Sequence, residues 1–181
     1  MTHGSIVQAA SRLGAILESI SNMLSWIVIA HGGGARIFRS RGPGAPLELE
    51  RKLDNPSARV RDRNLDSDKA GRFDKPSRTK TLRSAADPER DSHALQIEHF
   101  ARELVTILDN AGSRHVYDTL LLVAEPKFLG LLRDGVGAQT RKKVIVAMAR
   151  DLSAISDVDL PQHLSELTEA WAAGALAAQA S

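Results

Sequence analysis

The chain has 181 residues, 43% of them apolar, which suits one domain with a real core. Aromatic residues make up only 4%, so that core must rest on Leu, Ile, Val and Ala. No cysteine is present, which excludes disulfides, thiolate catalysis and Cys-based zinc sites, and a net charge of +2 selects no partner by bulk electrostatics.

Residues 5–24, SIVQAASRLGAILESISNML, place Ile6, Ala9, Leu13, Ile16, Leu17, Ile20 and Leu24 at helical spacing. Arg12 and Glu18 interrupt the segment and no basic run precedes it, which argues against a secretory signal. Either residues 1–22 form a docked amphipathic extension, or they are dispensable and translation begins at Met23. No apolar run approaches the roughly 20 residues that span a bilayer.

Trp26–Ala30 is a short, wholly apolar, β-branched run and predicts a buried strand. The glycines of His31-Gly32-Gly33-Gly34 turn the chain, and ARIFRS pairs back as a second strand. After the turn signal Gly42-Pro43-Gly44, Leu47–Leu53 alternates as a third strand with one wet face. His-Gly-Gly-Gly also resembles half of a lipase oxyanion hole, but no Gly-x-Ser-x-Gly elbow accompanies it. A phosphate loop would need a following helix, whereas the glycines here precede a strand.

From Asn55 to Ala86 the hydrophobic pattern dissolves, which predicts a long loop. Between Asn55 and Arg90 it holds Arg59, Arg61, Arg63, Lys69, Arg72, Lys75, Arg78, Lys80, Arg83 and Arg90 against six acidic residues. Such a basic arm neutralises phosphates and releases counterions, so the first nine are candidate RNA-binding residues. Phe73 is the only aromatic there, which leaves little base stacking. The alternative is a solvated loop of mixed charge.

Asp87-Pro88-Glu89 opens a helix, with Ala94, Ile97, Phe100, Ala101, Leu104, Val105 and Leu108 on its dry side and Gly112 as its stop. Thr119–Ala124 predicts a buried parallel strand. Glu125-Pro126 starts a short helix through Phe128, Leu129 and Leu132, ending near Gly135. Val144–Met148 is a strand or the continuation of a helix. Ser156 is expected to cap a last helix through Leu160, Leu164 and Leu167, before an Ala-rich end.

The order β-β-β-(loop)-α-β-α-β-α implies an α/β fold, a mixed sheet with flanking helices of the RNase H-like kind. The expected organisation is residues 1–22 as extension, 23–168 as the domain with a mobile basic loop at 55–86, and 169–181 as an Ala-rich tail. A nuclease on such a sheet needs convergent carboxylates, and only the scattered Glu103 and Glu125 offer themselves. The six histidines show no metal spacing, and no metal or cofactor is expected.

Five phrases in order, WIVIAHGGGARIFRSRGPGAPLE, NPSARVRDRNLDSDKAGRFD, HFARELVTIL, YDTLLLVAEPKFLGLLR and ARDLSAIS, resemble the bacterial host-attachment protein family. The resemblance runs from Leu24 to Leu167. It implies likeness to the RNase H-like middle domain of archaeal and eukaryotic peptide-chain release factors, where a basic loop carries Gly-Gly-Gln. Here that region has Ala70-Gly71-Arg72-Phe73-Asp74 instead, so peptidyl-tRNA hydrolysis does not carry over. Many members have an acidic residue where this chain has His31, which weakens any metal-dependent activity. The expectation is therefore a non-catalytic cytoplasmic domain whose basic loop touches RNA or the ribosome, with an indirect role in attachment. A divergent hydrolase or nuclease, and a protein-interaction module using the N-terminal helix, remain as alternatives.

Overall fold

A computed structural model describes residues 23–56, 58 and 88–179. Among them, β1 (Ser25–His31), β2 (Gly34–Ser40), β3 (Glu48–Asp54), β4 (Thr119–Ala124) and β5 (Val144–Ala149) form one mixed sheet, in the order β3-β2-β1-β4-β5. The helices are α1 (Pro88–Ser113), α2 (Pro126–Gly135), α3 (Ala138–Lys143), α4 (Leu160–His163) and α5 (Thr168–Gln179), with a single 3-10 turn at Ser165–Leu167. The expected meander, crossovers and element order are all present.

β1 is central because both of its faces are apolar. It pairs antiparallel with β2 (Val28 opposite Ile37) and parallel with β4 (Val28 opposite Leu122). Side chains alternate across the sheet. Trp26, Val28, Ala30, Ile37, Leu120 and Leu122 meet α1 and α2 through Phe100, Leu104, Leu108, Phe128 and Leu132. On the opposite face Ile27, Ile29, Phe38, Leu121 and Val123 meet Leu160, Leu164, Leu167, Trp171 and Ala175. Two separate cores therefore sandwich one sheet.

The hairpin turn between β1 and β2 is Gly32-Gly33, and neither glycine takes a left-handed backbone. Gly32 and Gly34 are instead required by close approach. A Cβ on Gly34 would lie 2.8 Å from the Leu53 carbonyl oxygen, and one on Gly32 would lie 3.1 Å from Ile97 Cδ1.

β3 departs from the expected single wet face, since every residue from Glu48 to Lys52 is exposed. The pairing shifts between Ile37 and Phe38, which face Arg51 and Leu49 and leave Glu50 as an extra residue. That bulge sends Leu53 to one core and Leu47 to the other, and leaves Leu49 half exposed.

α1 buries the predicted face except Ala94, which is exposed, and Ile97, which is partly buried. At 1.5 Å per residue its 26 residues run about 39 Å, longer than the strands, so its first turns overshoot the sheet. Gly112 does not stop the helix, which continues through Ser113, and the left-handed residue is His115 at φ 55°. Gly112 instead makes room for Tyr117, whose hydroxyl would sit 2.8 Å from a Cβ there. Tyr117 is fully buried and donates to the Leu108 carbonyl at 3.0 Å. Burial raises its pKa against the opposing hydrogen bond with Thr140, with Asp109 adding to the rise, so the phenol keeps its proton.

The ambiguous RKKVIVAM stretch divides at Lys143. The basic residues finish α3, and VIVAMA is strand β5, parallel to β4. Asp109 on α1 accepts the Gly137 amide at 3.1 Å and so fixes the start of α3. The last predicted helix is broken. Ser156 only closes a turn with Asp159, α4 lasts four residues, and the chain restarts as α5 after the 3-10 turn. Alanine-rich α5 packs on the sheet through Trp171 and Ala175, whose exposures are 4% and 2%. No helix among the described residues is long and apolar enough to cross a membrane.

Candidate functional site

β1 and β5 end, and β3 leaves the sheet, at one corner. There His31, Asp54 and the Asp151–Ser153 turn gather around the glycine hairpin. A cleft of about 130 Å³ opens between them, lined by His31, Arg36, Lys52, Asp54 and Ser153 above Ile29. Crevices outside the carboxyl ends of parallel strands are common binding positions in open α/β sheets.

Arg36 builds the floor rather than offering a free charge. Its guanidinium donates to the carbonyls of Leu152 and Ile155, both at 2.8 Å, and to Asp157 at 2.6 Å. The ion pair reaches half-exposed Asp157 and contributes little by itself. The carbonyl bonds are what hold the segment after β5 against β2. His31 Nδ1 lies 3.2 Å from the Gly33 amide nitrogen.

Asp151 accepts the Ser153 amide at 2.8 Å. Burial pushes its carboxyl up, but the Ser153 amide, the Ser153 hydroxyl and the charge of His31 together hold it below its ordinary value. A carboxylate with a depressed folded-state pKa adds stability above its unfolded pKa. That stability disappears as pH falls through the folded value. Thermal unfolding of Asp151→Asn is therefore expected to match the parent more closely in acid than at neutral pH. An equal difference at both would contradict the arrangement.

The chain leaving β3 is anchored to the hairpin. Buried Asn55 donates its side-chain amide to the Gly32 carbonyl at 2.9 Å and its backbone N–H to the Gly33 carbonyl at 3.0 Å. Ala58 follows, its carbonyl accepting His93 Nε2–H from α1 at 3.1 Å. Ile97, one turn further along α1, packs under Gly32. Ala58 and His93 thus meet beside the glycine turn. Asn55 was missed as an anchor from sequence, although a lone Asn closing a strand before Pro56 was a usable signal.

The nine candidate residues Arg59, Arg61, Arg63, Lys69, Arg72, Lys75, Arg78, Lys80 and Arg83 lie outside the described residues, as do residues 1–22. The structure brings together the two roots of the basic segment. Glu103 is exposed along α1, and Glu125 is half-buried at the end of β4. Among the described residues no three His, Asp or Glu side chains converge closely enough to hold a metal ion. His93 is spent on Ala58, while His99 and His163 are exposed.

The sequence profile of a family described as "Protein required for attachment to host cells" matches residues 26–164. No curated protein sequence matches the chain. Among solved structures, an archaeal translation termination factor aligns with a TM-score of 0.40 and 11% identity, over 82% of this chain. The alignment takes in 39% of that factor's length.

Proposed function

We propose, starting from the fact that this chain belongs to the family of proteins required for attachment to host cells, that it is a non-catalytic domain that binds RNA. The basic segment 55–86 makes the contact, working in the cytoplasm, and attachment follows indirectly. One observation carries this. The segment richest in Lys and Arg is flanked by described residues that meet at one corner, Asn55 on the glycine turn and His93 on Ala58. The nine cations of residues 55–86 against four anions supply phosphate contacts, and the scarcity of aromatics there points to backbone rather than base recognition.

Binding of this kind depends steeply on salt. With nine phosphate contacts on a single strand, the slope of log affinity against log salt is about −6. Fluorescence anisotropy of a labelled single-stranded RNA, titrated with the full chain across a salt series, reads that slope directly. A slope near zero, or no binding at low salt, overturns the proposal. Purified ribosomes in a co-sedimentation assay then tell whether structured ribosomal RNA is the preferred form.

A further inference from the structure

The second face of the sheet is covered unevenly. α5 lies over β5 and β4, so closely that a Cβ on Gly174 would come 2.8 Å from Ile145 Cβ. The segment after β5 covers the Arg36 end of β2 through the Leu152 and Ile155 carbonyls. Where β2 finishes and β3 starts, the apolar side chains are less enclosed. Leu49 stands opposite Phe38 on this face and is 50% exposed, and Leu47, two residues earlier, is only partly buried. A cleft of about 330 Å³ opens at the same end, lined by Leu24, Ser40, Arg41, Ala45, Pro46 and Glu48.

The chain enters the sheet beside this cleft. Leu24 is pinned there: its N–H donates to Asp118 Oδ2 at 2.9 Å, and its carbonyl accepts the Asp118 N–H at 2.8 Å. Met23 packs against the second core, which places the entry on the second face. Residues 5–22 lie outside the described residues and carry Ile6, Ala9, Leu13, Ile16, Leu17 and Ile20 at helical spacing.

We infer that residues 5–22 dock as an amphipathic helix along β2 and β3 on the second face, laying their apolar stripe on Leu47 and Leu49. Eighteen residues make a helix of about 27 Å, close to the roughly 23 Å of each seven-residue strand. The tether decides the occupant. With Leu24 fixed in the wall of the cleft, Ile20 is four residues away, and the attached stripe has an effective concentration that a free partner does not reach. Docked there, the segment extends the helical layer that α5 begins and buries the apolar side chains that layer leaves open.

The chain has no cysteine, so a single one introduced at Leu49 reports on that position alone. In the full chain Leu49→Cys is expected to react with a small thiol reagent roughly tenfold more slowly than in a chain that also carries Leu13→Asp and Leu17→Asp. Leu95, 53% exposed on α1 across the sheet, supplies the reference: the reactivity of Leu95→Cys does not change with the two Asp substitutions. The protection at position 49 is independent of protein concentration. Hydrogen exchange of the unsubstituted chain gives a second reading, with slow amides between residues 9 and 22 that become fast in Leu49→Glu. Equal Leu49→Cys reactivity with and without the Asp changes overturns the inference, as does fast exchange throughout residues 5–22. Protection that grows with protein concentration also overturns it, because a second copy would then supply the segment.

Discussion

Trp171→Ala is expected to lower the free energy of unfolding by about 3–5 kcal/mol, the usual cost of truncating a buried tryptophan. Trp171 is 4% exposed, lies among Ile27, Leu121 and Leu167 in the second core, and donates from Nε1 to Ser25 Oγ at 3.3 Å. Ser25 is itself buried and bonded to Thr119 at 2.8 Å. The indole thus ties the last helix to the two central strands, and its loss opens a cavity under the whole of α5. Because domains of this size hold only about 5–15 kcal/mol in total, the variant should unfold at visibly lower denaturant. Trp171→Phe keeps most of the apolar contact and loses the hydrogen bond, so a cost of about 1 kcal/mol is expected. A Trp171→Ala variant within 1 kcal/mol of the parent would mean that α5 is an appendage.

The second large effect is on RNA. Changing Arg59, Arg61 and Arg63 together to Ala removes three of the nine candidate cations and is expected to move the salt slope from about −6 to about −4. Extrapolated to low salt, affinity falls by roughly one to two orders of magnitude, uniformly across RNA sequences, because phosphate contacts carry no base information. The same triple change is expected to leave the unfolding transition of the sheet in place, because it removes no apolar side chain. A variant that binds as the parent does would exclude this part of the segment from the contact.

Much of the fold was legible because it rests on periodicity. The apolar runs of β1 and β4 and the i, i+3, i+4 face of α1 need no tertiary information to be recognised. What escaped was decided by contacts between distant segments. The Glu50 bulge in β3 depends on pairing with β2, and the stop of α1 at His115 rather than Gly112 depends on where Tyr117 is buried. Lys143 divides helix from strand because VIVAMA pairs with β4, which no local propensity announces. α5 looked like a tail because alanine gives little amphipathic signal, and a single Trp supplies most of its anchor.

The site was harder than the fold. The glycine turn was identified, but its purpose is close approach to Leu53 and Ile97, visible only once α1 and β3 are in place. The cleft joins residues from β1, β2, β3 and the turn after β5, and Arg36 reaches more than a hundred positions along the chain to Leu152 and Ile155. No spacing rule links them.

The central claim is that RNA meets this protein at the basic segment. Ultraviolet cross-linking of the full chain to single-stranded RNA, followed by mass-spectrometric mapping of the modified peptides, tests it most directly. Cross-links confined to peptides from residues 55–90, and lost in high salt, are the predicted result. Cross-links spread over the helices, or none at a salt concentration where the protein is otherwise folded, would contradict it.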